Sequence, residues 1–294
     1  MPNTLNGINL AAVAQSVLDN LSAQHTPVSA FTTDFSSEIA DQGESVTTRI
    51  ATAVTAADAS SGYTSADVES TAKTIALDKH KHFTMCFTDL EIAKGGMNML
   101  ERTFVRPATH AVINSMVDEL MALVKNANFS NVTSAITATQ FGADDVATLA
   151  GDLTTLNVPK DDRALIILPT YYASLAQDNA IQASYATTLN DSIRDHSVPR
   201  VHGFNVYEYS DIPHNSENLA GFACGPEALL IAARQPAIPQ NWSGAVESVT
   251  DPDSGLTIQL RSWYEGKDGK QYITATVIFG VLVGSNSMKR IVSA

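Results

Sequence analysis

The sequence is short of charge, of cysteine and of long apolar runs, and each shortage closes off a class of protein. Only 17% of the 294 residues are charged, and 18 Lys and Arg stand against 31 Asp and Glu, a net charge of −13. Surfaces that grip nucleic acid do so by neutralising phosphates with Lys and Arg, so no broad exposed nucleic-acid-binding face is expected. Cys86 and Cys224 are the only cysteines. One falls in an expected strand and the other beside a strand end, and both read as buried free thiols before they read as a disulfide. No apolar run approaches the ~20 residues of a membrane span. The opening Met-Pro-Asn-Thr-Leu-Asn-Gly has no basic stretch followed by an apolar one, so no secretory signal is expected and the chain reads as cytosolic. In that setting the Asn-X-Ser/Thr matches at Asn128, Asn131 and Asn241 carry no glycosylation meaning.

Catalytic signatures are missing as well. There is no Gly-X-Ser-X-Gly elbow to orient a nucleophile, no Walker loop and no glycine-rich strand-to-helix turn. Asp78, His80 and His82 fall on one strand face at i, i+2 and i+4, and both side-chain types are common metal ligands. Same-face neighbours on a strand are about 7 Å apart, however, which strains coordination of one ion by all three. With Lys79 and Lys81 between them they read as a polar face turned to solvent or to another subunit. His25, His110, His196, His202 and His214 are scattered, and the Asp144-Asp145 pair is explained by the charge preference of a helix N-terminus. No catalytic, cofactor-binding or metal-binding residue is assigned.

What the sequence does contain is a long β-ribbon with too little apolar surface to stand alone. Val46, Thr48, Ile50, Thr52 and Val54 alternate with Thr47, Arg49, Ala51, Ala53 and Thr55, the period-2 pattern of a strand. A second run places Ile75, Leu77, Phe83, Met85 and Phe87 on one face. The stretch from Asp58 to Ser70 between the runs is small, polar and turn-rich, so it should form a mobile tip. A two-stranded ribbon is marginal in water, so this one is expected to lie on something else, most simply a neighbouring copy of the same chain.

Around the ribbon the pattern is mixed. Leu10, Val13, Ala14, Val17, Leu18 and Leu21 describe a short amphipathic helix, and 22–42 an irregular arm. Thr88-Asp-Leu-Glu91 matches a capping box that starts a helix interrupted by Gly95-Gly96 and Pro107. Val112, Ile113, Met116, Val117, Leu120, Leu123 and Val124 then predict a long helix with a wide buried face, running to about Asn126. A helix opening at Asp144-Asp145 and closing at Pro159 follows, then a strand from Arg163, a helix capped by Thr170, strands over 201–207 and 219–224, and a helix from Pro226 to Arg234. Residues 132–240 are thus expected to be an α/β unit. Strands over 257–264 and 271–282 joined by Glu265-Gly-Lys-Asp-Gly-Lys270 predict a hairpin that shares one core with the long helix, around an inserted domain.

This order of elements resembles tailed-bacteriophage major capsid proteins of the Hong Kong ninety-seven type, a fold shared with encapsulin nanocompartments. The strings that carry the likeness are Val201-His-Gly-Phe-Asn-Val-Tyr-Glu-Tyr-Ser-Asp-Ile-Pro213, Gly221-Phe-Ala-Cys-Gly-Pro-Glu-Ala-Leu-Leu-Ile-Ala-Ala-Arg234 and Leu260-Arg-Ser-Trp-Tyr-Glu-Gly266. The resemblance implies an α+β fold with an N-terminal helix and arm (1–42), an extended β-loop lying over the adjacent subunit (43–87), a peripheral domain made of 88–131 with the long helix and 241–294 with the hairpin, and an inserted α/β axial domain (132–240). It implies a structural protein, not an enzyme, that assembles with itself into the hexamers and pentamers of an icosahedral shell around double-stranded DNA. Such a shell is built in the host cytoplasm and persists in the virion, with a portal, a decoration protein in some cases, and no membrane. Some members carry an N-terminal scaffolding domain of roughly a hundred residues, far beyond loop lengths. A chain opening at Met1 has no room for one, so a separate scaffolding protein, or none, is expected. Lys73 invites comparison with the loop lysine that some capsid proteins join to an asparagine, on position alone. Two other readings stay open: an encapsulin-like shell, which a cargo-peptide groove would decide, and a cytosolic α/β enzyme using 132–240, which would need titratable residues converging near strand ends.

Overall fold

The computed structural model of the protein describes residues 28–39, 45–51, 56, 58–59, 62–63, 70–95, 111–185, 198, 200–250 and 255–294. The helix expected over 10–21, most of the ribbon tip, Gly96 and Pro107 lie outside them. In chain order the strands are β1 (Thr32–Ile39), β2 (Ser45–Ala51), β3 (Ser70–Ala76), β4 (Lys79–Thr88), β5 (Arg163–Ile167), β6 (Phe204–Glu208), β7 (Leu219–Cys224), β8 (Leu229–Gln235), β9 (Ala245–Thr250), β10 (Thr257–Glu265), β11 (Lys270–Val283) and β12 (Met288–Val292). They make a six-stranded sheet in the order β1-β8-β11-β10-β9 with β4 also on β11, a four-stranded sheet in the order β12-β7-β5-β6, and the two-stranded ribbon β2-β3.

β11 is the organising strand. Its first half pairs with β10 from Glu265↔Lys270 to Gln259↔Thr276, and its second half pairs with β8 from Ile278↔Arg234 to Val283↔Leu229. Along the opposite edge β4 runs from Thr88↔Lys270 to Lys79↔Phe279. Alternation then decides the faces. Ala275, Val277 and Phe279 point to one side, where they are buried with Ile258 and Leu260 of β10 and Ile231 of β8 against the helical segment 111–121. As the 3.6-residue spacing predicts, Val112, Ile113, Met116, Val117, Leu120 and Val124 are all buried there. Each such side chain contributes on the order of 1.5–3 kcal/mol of hydrophobic stabilisation. The last carbonyls of this segment do not go unpaired: Asn215 donates its side-chain N–H groups to Met121 O (3.1 Å) and Val124 O (2.6 Å).

The four-stranded sheet carries its own core. Helix Ala143–Thr155 opens with Asp144 and Asp145 as expected and packs Val146, Leu149 and Leu153 with Leu165, Ile167, Tyr171, Leu175 and Ile291. Arg163 is buried at its C-terminal end, donating to Ala150 O (3.0 Å), Thr154 Oγ1 (3.2 Å), Val158 O (2.6 Å) and Pro159 O (2.8 Å), a cation where the helix dipole is negative. Arg290 of β12 ties the smaller sheet to the helical layer. Its guanidinium pairs with Glu217 and donates to Phe129 O (2.7 Å) and Asn126 Oδ1 (2.9 Å), so one buried cation fastens the end of the long helix to the smaller sheet.

Several elements differ from the sequence reading. The helix expected from Pro226 to Arg234 is replaced over most of its length by β8 (Leu229–Gln235), buried along its whole length inside the larger sheet. Leu, Ala and Arg favour helix in isolation, but a strand covered on both faces needs just such a continuous apolar run. The arm expected to be irregular contains β1, which lies parallel to β8 from Thr32↔Leu230 onward. β9 and β12 were not anticipated, and β12 joins the smaller sheet beside β7. Strand pairing therefore crosses the expected boundaries: β8, inside 132–240, belongs to the larger sheet, and β12, inside 241–294, to the smaller. Thr170 is not the cap of helix Pro169–Ala176, whose N-cap is Leu168 with proline first in the helix. Val201 to Gly203 form a turn before β6, with His202 and Gly203 at φ 46° and 90°. Cys224 is a buried thiol, and burial pushes its pKa up, but Cys86 is exposed.

Candidate assembly surface

The ribbon pairs in register from Ser45↔Ala76 to Ala51↔Ser70. Cross-strand polar contacts decorate it, Thr47 Oγ1 with Thr74 Oγ1 at 3.2 Å and Arg49 Nη1 donating to Ser70 Oγ at 3.4 Å. Lys73 stands half-buried opposite Thr48. Ser70, Thr71, Ala72 and Thr74 are exposed, and Ile75 alone in β3 is buried. It sits at 3% exposure on Leu230 and Ala232, flanked by Val46, Leu77 and Leu282, on the face of the larger sheet turned away from the long helix. The seat exists because residue 280 is glycine: a Cβ there would stand 2.1 Å from Ala76 O. The base of the ribbon thus rests on its own sheet, while Ser70, Thr71, Ala72 and Thr74 further along it are exposed among the described residues.

The second run of the expected ribbon divides. β3 stays with β2, and after Leu77-Asp78 the chain becomes β4 and leaves the ribbon to pair with β11. On the helix-facing side of β4, Phe87 is buried at 6% but Phe83, expected on the same apolar face, is exposed at 40%. Lys79 and Lys81 share that side and close on Glu119 of the long helix at 2.8 and 3.0 Å. The Lys79 hydrogen bond, with that from Lys81, holds the Glu119 carboxyl below its usual range. β4 ends at the predicted capping box: Glu91 Oε2 accepts from Thr88 N (2.9 Å) and Thr88 Oγ1 (2.8 Å), starting helix Asp89–Gly95.

The outer face of the same sheet holds the histidines. His80 Nε2 lies 2.7 Å from Thr276 Oγ1, and burial lowers its pKa; His82 Nδ1 lies 3.3 Å from Thr84 Oγ1. Their rings are 6.4 Å apart, edge to face, and among the described residues no group of three His, Cys, Asp or Glu is placed to hold a metal ion. Further along this face Arg261, Trp263 and Tyr272 gather with Trp242, a cluster the sequence reading missed although Arg261 and Trp263 alternate with the core residues Ile258 and Leu260. Two grooves of about 390 Å³ flank the smaller sheet. In one, Asp152 is paired with Lys289 at 2.9 Å and Asp145 accepts Gly142 N–H at 3.0 Å; in the other, Arg163 is occupied as a helix cap. In these two grooves Asp145, Asp152, Arg163 and Lys289 are engaged in contacts that hold the fold.

No protein-family model matches the chain, and no curated protein matches it either. Solved structures do. The capsid of cyanophage P-SCSP1u superposes over 90% of this chain and 86% of that one, with a TM-score of 0.61 at 13% identity. The chain has the phage capsid fold. The mature capsid of bacteriophage PhiM1 aligns over 90% of this chain and 86% of its own at TM-score 0.58 and 10% identity, and the virus-like particle from Pyrococcus furiosus over 97% and 100% at 0.53 and 9%. At these identities the shared property is the path of the chain, not its side chains.

Proposed function

We propose that the protein is the major structural subunit of an icosahedral shell that encloses double-stranded DNA. The observation that carries this is the β2-β3 ribbon: Ile75 seats its base on the larger sheet, while Ser70, Thr71, Ala72 and Thr74 are exposed, a hydrogen-bonded surface that a second copy can cover. The likeness to phage capsids over nine-tenths of the chain supports the same reading. In it, β4, the long helix and the larger sheet form the peripheral wall, the smaller sheet with helix Ala143–Thr155 is the axial unit closing hexamers and pentamers, and a portal, a separate scaffolding protein and a decoration protein are its partners in the host cytoplasm. An acidic chain suits a container that does not grip its cargo. Purified protein, alone or with a scaffolding protein, should form rings or shells far larger than 31.3 kDa, visible by negative-stain microscopy; a strict monomer at high concentration by light scattering would refute the proposal. No catalysis is assigned to it. Stoichiometric metal lost on joint His80→Ala and His82→Ala substitution would overturn that part.

One observation favours a cargo shell as second reading: the Pyrococcus furiosus virus-like particle is matched along its entire length. Shells purified from cells decide between the two, since a genome shell holds nuclease-protected DNA and a cargo shell holds a stoichiometric second protein.

A further inference from the structure

Residues 131–136 run along β12 at the edge of the smaller sheet, and a groove of about 390 Å³ lies between them and helix Ala143–Thr155. Asn131 O accepts Arg290 N–H at 3.0 Å and Thr133 N–H donates to Arg290 O at 2.9 Å, so Val132 lies parallel to β12 with its own N–H and C=O turned away from it. Ile136 N–H donates to Val292 O at 3.1 Å and holds the far end. Among the described residues the backbone N–H and C=O groups of Val132 and Ser134 meet no partner, and the Val132 side chain is 39% exposed. An unpaired strand edge of this kind is a template for another extended chain.

The opposite wall says which chain. Asp145, Thr148, Leu149 and Asp152 stand at i, i+3, i+4 and i+7 on one face of the helix, and Ile136, Phe141 and Leu149 make the apolar part of the groove. Asp145 accepts Gly142 N–H at 3.0 Å and Asp152 holds Lys289 at 2.9 Å, which leaves each carboxylate a second oxygen to accept with and the lining one negative charge in excess. The two carboxylates are about 10 Å apart along the helix axis, the span of three to four extended residues. Thr133 lines the groove too, and its hydroxyl is buried with no partner, one bond short of a completed site. A strand added along Val132 would turn alternate side chains toward the helix. An apolar residue would meet Phe141 and Leu149, and a cation on either side of it would meet Asp145 and Asp152.

We propose that this groove binds, by strand addition, an extended segment of the separate scaffolding protein in which an apolar residue is flanked at alternate positions by Lys or Arg. The inference rests on the shell reading for the partner's identity, and adds where that partner is held and by what chemistry. A second copy, itself at −13, is a poor source of the cations. The test measures fluorescence anisotropy of the labelled peptide acetyl-Thr-Lys-Thr-Leu-Thr-Lys-Thr-amide against the full chain. This peptide should bind, and the same peptide with glutamate in place of lysine should bind at least about tenfold more weakly. Val132→Pro removes a backbone donor that no described group of the chain uses, and Thr148→Lys sets a cation between the two carboxylates at an exposed position. Each should leave thermal stability unchanged and weaken the lysine peptide about tenfold, the scale of a lost hydrogen bond to a charged group. Should Val132→Pro lower the melting temperature, Thr148→Lys decides alone. Absence of binding, equal binding of both peptides, or binding that ignores Thr148→Lys overturns the proposal. Photoreactive p-benzoylphenylalanine at position 148 should cross-link to a scaffolding protein co-expressed with the chain; a link to another copy of the chain instead gives the groove to that copy and also overturns it. Wild-type shells that form while the peptide fails to bind remove this groove alone; wild-type protein that never forms shells, with or without a scaffolding protein, removes the shell reading and the partner with it.

Discussion

A methyl group at position 280 would collide with the carbonyl oxygen of Ala76, so Gly280→Ala should lift the ribbon base from its seat. The expected cost is about 1–3 kcal/mol, the range for overpacking, with protease cleavage of 45–76 appearing at doses that spare the wild type. Arg290 is a different case, because its partner stays behind when it is removed. Arg290→Ala leaves the largely buried Glu217 carboxylate uncompensated and should cost about 3–5 kcal/mol by urea denaturation. Lysine should rescue it poorly, since it cannot reach Glu217, Asn126 and Phe129 O with one planar fork. Asp178 offers a pH test. Its carboxylate accepts the N–H of Ala143 and of Ala180, each at 2.8 Å, and these bonds hold its pKa below the ordinary carboxylate value. A depressed folded pKa gives stability that is present above the unfolded value of 3.8 and is lost as pH falls through the folded value. Asp178→Ala should therefore cost about 1–2 kcal/mol at neutral pH, as for a lost helix cap, with the gap to wild type closing in acid. An equal gap at low pH would sink that assignment.

Among the elements, the ribbon and β4 should respond oppositely to damage. Phe87→Ala removes a buried ring from the body sheet and should cost on the order of 3–5 kcal/mol, whereas Phe83→Ala, at an exposed edge, should stay within about 1. Deleting 58–63 should leave the melting temperature nearly unchanged and lower particle yield. A deletion that melts like Phe87→Ala while assembling normally would make the ribbon an ordinary sheet element. The elements legible in the sequence were those whose periodicity one face imposes: the long helix, β10 and β11, and helix Ala143–Thr155. β8 was not, because Leu229 to Arg234 is apolar throughout, a pattern that helix and doubly covered strand share. β1 was not either: it holds few apolar residues, and its extended form comes from pairing with β8, 198 positions away at Thr32↔Leu230. For the same reason the ribbon is visible in the sequence but its seat is not, since Ile75 meets Leu230 and Gly280 only once the sheet exists.

For the molecule as a whole, the resemblance in element order proved to be a resemblance in path, at identities near 10%. What is shared at such divergence is the path of the backbone; the aromatic patch on the outer face of the larger sheet is local chemistry laid on it, which is why order alone could not reveal it. Assembly should accordingly tolerate apolar exchange in the core and fail on single polar changes at the ribbon contacts, a contrast that a library selected on particle yield would expose. The placement of β11 and β12 carries one more consequence. Both sheets receive a central or core-lining strand from the final quarter of the chain: β11 joins β4, β8 and β10, and Met288 and Ile291 of β12 are fully buried. During synthesis, then, the larger sheet lacks its central strand and the smaller one its last edge until those residues leave the ribosome. If the chain assembles as proposed, an interrupted translation product would have no finished core to present and should be absent from purified particles.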